Sequence, residues 1–143
     1  MKANTSYSIY KEHDSHCSAP QLVLLLCDGA IRFTKEAAEH MRASQWEKKG
    51  VAVDAAFSCL SELRNTLDHQ QGGDVVAELD NTYDVLTTKL TLANSSRDPE
   101  QFEQIATALT TIRASWQELF DRLAKEGKLQ DQDVRPKTLD PVL

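Results

Sequence analysis

The chain has 143 residues, of which 41% are hydrophobic and 27% charged, and this length and composition fit one globular domain. Its 16 basic against 22 acidic side chains give a formal charge of −6 without any basic cluster, which argues against a nucleic-acid partner. No apolar run approaches the ~20 residues of a membrane span, and the amino-terminal residues lack the apolar core of a secretory signal. We therefore expect no membrane insertion.

Glycine and proline are scarce, with five and four residues, so long helices fit between Pro20 and Pro99 and again between Pro99 and Pro136. Sandwiches and barrels, which need frequent turns, are disfavoured. The three cysteines have no Cys-x-x-Cys spacing, which is typical of reduced thiols in a cytosol. The composition therefore predicts an all-α cytosolic protein.

Residues 1–17 are polar and unpatterned, and we interpret them as a flexible arm. Ser18 and Gln21 have the spacing of a capping box, with Pro20 in the first helical turn. The first predicted helix then covers 19–43. Its apolar face consists of Leu22, Leu25, Leu26, Gly29, Ala30, Phe33 and Ala37.

A second capping box, from Ser44 to Glu47, predicts a helix over 45–70 that ends before Gly72 and Gly73. Its apolar face consists of Val53, Ala56, Phe57, Leu60, Leu63 and Leu67.

The third helix is predicted over 74–95 and the fourth over 99–126, where Asp98 is the cap and Gly127 ends the helix. Helices joined by such short connections run antiparallel, so the sequence predicts an up-down four-helix bundle over 18–127. Residues 128–143 have no sustained period and are predicted to be a disordered tail.

Catalytic and metal-binding patterns are absent from the sequence. No Glu-x-x-His motif occurs, and we interpret His13, His16 and Cys17 as incidental residues of a polar arm. His40 and His69 lie in last helical turns, which suits the helix dipole better than phosphotransfer. We expect a protein that is not an enzyme and has no cofactor and no metal.

The first helix is apolar nearly all the way round in its first two turns, and Leu24, Cys27 and Ile31 form a second stripe beside the core stripe. One interpretation is that the arm, through Ile9 and Tyr10, or the tail covers this stripe. The other is that the stripe belongs to an exposed groove for a partner segment. The two interpretations are compatible if a partner can displace the segment that covers the stripe.

The run PQLVLLLCDGAI from Pro20 to Ile31 resembles the first-helix signature of the flagellin-export chaperones, the FliS family. The run ELRNTLD from Glu62 to Asp68, followed by Gly72-Gly73-Asp74, is similar to that family's second-helix ending and turn. Further residues match the family in order, and these are Tyr10, Leu79, Tyr83, Leu90, Ala93, Asn94 and the run Arg113 to Trp116. Cys27 departs from the family motif, which has tyrosine at this position.

The resemblance implies a bacterial cytosolic chaperone that binds the disordered C-terminal segment of flagellin, prevents its premature polymerisation and helps deliver it to an export-gate component. It further implies that the arm occupies part of the same groove when flagellin is absent. The partner-binding residues that it implies are Tyr10, Leu24, Cys27, Asp28, Ile31, Arg64, Leu67 and Asp68.

Each of these assignments has a structural alternative. Leu67 fits a core position, and Arg64 and Asp68, four residues apart, fit a surface ion pair. At the level of function, the alternative is a helical adaptor or regulator that binds another export component or an anti-sigma factor. An enzyme or metal protein on a bundle scaffold is the third possibility, and the missing motifs argue against it.

Overall fold

The computed structural model describes residues 18–68, 70 and 72–128, and these residues form four helices without a strand. The helices are α1 (Ala19–Arg42), α2 (Trp46–Asn65), α3 (Gly73–Ser95) and α4 (Pro99–Lys125). Each helix packs mainly on two others, so that α1, α2, α3 and α4 form a closed ring of neighbours. The predicted all-α four-helix bundle is confirmed. The predicted flexible arm and disordered tail lie outside the described residues.

Two of the predicted helix starts have the expected caps. The Ser18 hydroxyl accepts a hydrogen bond from the Gln21 amide, and the Gln21 side chain accepts one from the Ser18 amide at 2.9 Å. The Asp98 carboxylate accepts a hydrogen bond of 3.0 Å from the Glu100 amide, and Pro99 opens α4. These local signals fix where α1 and α4 begin, because each cap satisfies a backbone N–H that has no partner inside the helix.

The predicted capping box at Ser44 is wrong. Ser44 has a left-handed φ of 55°, and its amide donates to the Met41 carbonyl while the Gln45 amide donates to the His40 carbonyl. This pair of bonds is the Schellman closure of α1, so Ser44 ends the first helix and does not cap the second. The connection between α1 and α2 is too short for one serine to do both.

The second helix also ends earlier than the predicted residue 70, at Asn65. The Thr66 hydroxyl donates a 2.6 Å hydrogen bond to the Leu63 carbonyl and so satisfies one of the last acceptors of the helix. Gly72 is the residue before α3, and Gly73 opens α3 with a left-handed φ of 58°. The two glycines therefore serve the start of α3 and not the end of α2.

The core is centred on α1, which has small side chains where α2 and α4 approach it. Ala30, Ala37 and Ala38 are fully buried there, whereas Leu25, which the sequence assigned to the core face, is half-buried. From α3, only four residues are buried, and these are Tyr83, Leu86, Leu90 and Ala93. The other buried residues of the core come from α1, α2 and α4 and include Leu22, Leu26, Phe33, Val53, Leu60, Leu63, Phe102, Ile105, Leu109 and Phe120.

Candidate functional site

The second apolar stripe of α1 lies at the edge of α1 that faces α4. The Arg113 guanidinium on α4 donates from Nε to the Asp28 carboxylate at 2.9 Å. Because Asp28 is one helical turn from both Leu24 and Ile31, this contact places the stripe along the α1–α4 edge. Leu24 and Ile31 are half-buried there and pack against the core. Part of the apolar surface of both side chains therefore remains exposed at this edge.

A shallow depression of about 410 Å³ continues from this stripe over the outer face of α1. Ile31 is its apolar wall, and most of its other walls are long charged side chains that can cover a bound chain with their aliphatic stems. Two of them, Arg32 and Glu36, form an ion pair at 3.3 Å. The depression is lined by Asp28, Ile31, Arg32, Lys35, Glu36, Glu39 and His40.

Cys27 does not belong to the exposed surface, and the expectation that it does is wrong. Its side chain is 0% exposed, because it lies one turn from the buried Val23 and Ala30 on the core side of α1. Burial and, to a smaller extent, the nearby Asp28 carboxylate together raise the pKa of the Cys27 thiol to about 12. A bound segment could not reach this side chain without opening the core.

Arg64 joins α2 to α3. Its guanidinium donates to the Asp80 carboxylate at 2.9 and 3.2 Å and to the Asp84 carboxylate at 3.3 Å. The hydrogen bond to Asp80 is the main reason that the pKa of Arg64 is raised. The proposed surface pair with Asp68 is therefore not how Arg64 is held in this structure.

The residues that follow α2 occupy different environments. Leu67 is buried in the core, as the structural alternative for this residue expected. The Asp68 carboxylate accepts a 3.1 Å hydrogen bond from the Gln70 amide and so shapes the turn after α2. Tyr10, the remaining candidate, lies outside the described residues.

The four described candidates that are neither buried nor in the turn after α2 lie on opposite sides of the bundle. Leu24, Asp28 and Ile31 lie at the α1–α4 edge, whereas Arg64 lies at the α2–α3 edge. In a ring of four helices these two edges face away from each other. The sequence analysis also missed Arg113 as the partner of Asp28, because no local pattern signals a contact between residues 85 positions apart.

Neither a metal cluster nor a membrane-spanning helix is found in the part of the chain that the structure describes. No group of three or more His, Cys, Asp or Glu side chains that could hold a metal ion occurs among these residues. None of the four helices has both the length and the apolar character that crossing a bilayer requires.

Comparison with known proteins places the chain among bacterial flagellar proteins. It is 27% identical to the flagellar secretion chaperone FliS of Campylobacter jejuni over 122 residues, which cover 85% of this chain and 95% of that protein. It is 26% identical to the flagellar secretion chaperone FliSB of Pseudomonas aeruginosa over 102 residues, which cover 71% and 81%. It is 23% identical to FliS of Bacillus subtilis over 127 residues, which cover 88% and 94%. The family model described as flagellar protein FliS matches residues 3–123, and the chain therefore belongs to the FliS family.

Proposed function

We propose that this chain is a non-enzymatic export chaperone of the bacterial cytosol. It binds the disordered C-terminal segment of flagellin, prevents premature polymerisation and helps deliver flagellin to an export-gate component. The observation that carries this proposal is the family match over residues 3–123, together with relatives that are named flagellar secretion chaperones.

The α1–α4 edge supports this role through its chemistry. A disordered segment gains about 25 cal/mol per Å² of apolar surface that it buries, and this gain must exceed the entropy lost when the segment becomes ordered. Leu24 and Ile31 offer such apolar surface, and the depression over α1 extends it along the helix. Asp28 and Arg113, both partly exposed, can exchange their mutual ion pair for polar groups of the bound segment.

The placement of the candidates sets a minimum length for the ligand. A segment that contacts both Ile31 and Arg64 must pass around the bundle, because the two edges face away from each other. Each helix is roughly 10 Å across, so the path around half of the bundle needs on the order of ten extended residues. A long segment can contact both the α1–α4 and the α2–α3 edge, whereas a short peptide can contact only one of them.

Calorimetric titration tests the proposal, with a peptide covering roughly the last 50 residues of the host flagellin as the ligand. We expect one-to-one binding and a negative heat-capacity change, the signature of coupled folding and apolar burial. Ile31→Asp should weaken binding at least tenfold, because it places a charge in the apolar stripe. Val85→Asp is the matched control, because Val85 is an exposed apolar side chain on α3 away from this edge.

Circular dichroism of both variants checks that the helices remain intact. Absence of binding by a folded unmodified chain would contradict the proposal and favour the adaptor or regulator of another export component. Equal weakening by both variants would contradict the assignment of the α1–α4 edge.

A further inference from the structure

The groove between α3 and α4 has an apolar end that the flagellin proposal does not use. It forms a depression of about 280 Å³, and its wall residue Val75 is 69% exposed, the most exposed large hydrophobic side chain among the described residues. The rim is uncharged, with Thr82, Thr111 and Ser115. The apolar walls are Val75, Leu79, Ile112, Trp116 and Leu119. Such a surface suits a polypeptide segment with aliphatic side chains.

The chain itself turns back at this end of the bundle. Gly127 has a left-handed φ of 69°, its amide donates to the Ala124 carbonyl at 3.1 Å, and the Lys128 amide donates to the Leu123 carbonyl at 2.9 Å. This is the Schellman geometry, which ends the helix and brings the next residues beside the preceding turn. Because α3 begins where the antiparallel α4 ends, Lys128, the last described residue, lies at the same end of the bundle as the apolar end of the groove.

The residues after Lys128 have the length to cover this surface. The segment 129–143 spans up to ~50 Å when extended, whereas the helical rise from Leu123 back to Thr111 is only ~18 Å. Pro136 and Pro141 oppose a helix in this segment and favour an extended course.

The composition of the segment also matches its surroundings. In an extended segment, side chains an even number of positions apart share a face, so Leu129 and Leu139 can both face the groove while Val134 faces away from them. Asp131 and Asp133 come shortly after two basic side chains in the last turn of α4, Arg122 and Lys125, and after Lys128, which pairs with Glu126 at 3.3 Å. The acidic positions can therefore remain beside these basic side chains while the aliphatic side chains reach the groove.

We propose that residues 129–143 fold back from the end of α4 and cover the apolar end of the α3–α4 groove with their aliphatic side chains. This proposal is an alternative to the disordered tail that the sequence predicts. It does not rest on flagellin binding, because both partners belong to this chain. The role of the contact is to shield Val75, Leu79 and their neighbours from contact with other proteins.

Backbone ¹⁵N relaxation of the full chain tests this contact. We expect order parameters above about 0.6 for residues of the segment 129–143 in the unmodified protein, and below that value in Val75→Glu. Val75→Glu suits the test because an acidic side chain is favourable in the first turn of α3, so that only the groove is disturbed. Val51→Glu is the control, because Val51 is 50% exposed and lines the α1–α2 depression on the opposite side of the bundle.

A second variant tests the contact from the other partner. Leu139→Ser should mobilise the segment and shift the amide resonances of Val75 and Leu79, while those of the buried Leu90 stay in place. Order parameters below about 0.6 in the unmodified chain, or equal mobilisation by both glutamate variants, would overturn the proposal. Order that disappears on tenfold dilution would also overturn it, because the groove would then be filled by a second copy.

Discussion

The indole Nε1 of Trp116 on α4 donates a 3.0 Å hydrogen bond to the hydroxyl of Tyr83, which is fully buried on α3. The Trp116 ring also stacks on Phe120, with ring centroids 5.4 Å apart. Burial raises the pKa of the Tyr83 phenol, which therefore stays protonated, and its oxygen accepts the hydrogen bond from the indole N–H. This bond is a specific polar contact inside an interface that is otherwise largely apolar.

Tyr83→Phe should lower the free energy of unfolding by about 1 kcal/mol, because it leaves the half-buried indole N–H without its acceptor. Urea unfolding measures the change, and a double-mutant cycle with Trp116→Phe separates the hydrogen bond from lost packing. A coupling energy near zero would show that the two side chains contribute independently.

The contacts of Arg64 predict that Asp80 and Asp84 contribute unequally to the free energy of unfolding. Asp80 accepts two hydrogen bonds from the guanidinium and Asp84 one longer bond. Asp80→Asn should therefore lower the free energy of unfolding by about 1 kcal/mol, and Asp84→Asn by only a few tenths. Urea unfolding at low and high salt is the measurement, and Asp84→Asn is the matched control. Equal losses for both variants would contradict the two-bond geometry.

The buried cysteines predict a loss of stability at alkaline pH. Burial raises the pKa of both Cys27 and Cys59 to about 12, whereas an unfolded thiol ionises near 8.5. The folded pKa lies above the unfolded one. The stability that each protonated thiol contributes is therefore complete below about pH 8.5 and is lost as the pH rises toward 12. Each thiol should lower the free energy of unfolding by about 1.4 kcal/mol between pH 7 and pH 9.5.

Urea unfolding of Cys27→Ala, Cys59→Ala and the double variant at several pH values measures this effect. Each substitution should make the decline with pH shallower, and the double variant should show the smallest decline. Comparing each variant with itself at pH 7 removes the packing cost of the substitution. Identical slopes for all four proteins would contradict ionisation of these thiols as the cause.

Two serines at helix ends should respond in opposite directions. Ser18→Ala removes the cap of α1 and should cost about 1 kcal/mol. Ser44→Gly should stabilise the protein by about 1 kcal/mol, because Ser44 has a left-handed φ of 55° that glycine adopts without strain. Thermal unfolding distinguishes the two effects. A loss of stability in Ser44→Gly would indicate that Ser44 caps α2 after all.

Local signals in the sequence were sufficient for the helices and their order. The Ser18 and Asp98 caps and the apolar periodicity depend on residues a few positions apart, and these features are confirmed. The ambiguous signal was Ser44, whose residue type suits both a helix start and a left-handed helix end. In the structure Ser44 is the left-handed residue that ends α1, and the connection is too short for it also to cap α2.

The candidate site depended on contacts that the sequence does not display. Periodicity could not show that Cys27 lies on the core side, because the first two turns of the first helix, from Leu22 to Cys27, are apolar on almost every face. Nor could it pair Asp28 with Arg113 or Arg64 with Asp80, since these pairs depend on which helices are neighbours and at what rotation. Such information is tertiary and enters only when the helices pack.

The small contribution of α3 to the core has a consequence for hydrogen exchange. This helix buries only four side chains. Hydroxyls along it, such as those of Thr87 and Thr91, donate to carbonyls of the preceding turn. Such bonds weaken a helix slightly. Amide protons of α3 should therefore exchange through a partial opening in which α1, α2 and α4 stay together. In that open state α1, α2 and α4 form a three-helix core from which α3 has separated. Solvent can then reach the interior of the bundle without global unfolding.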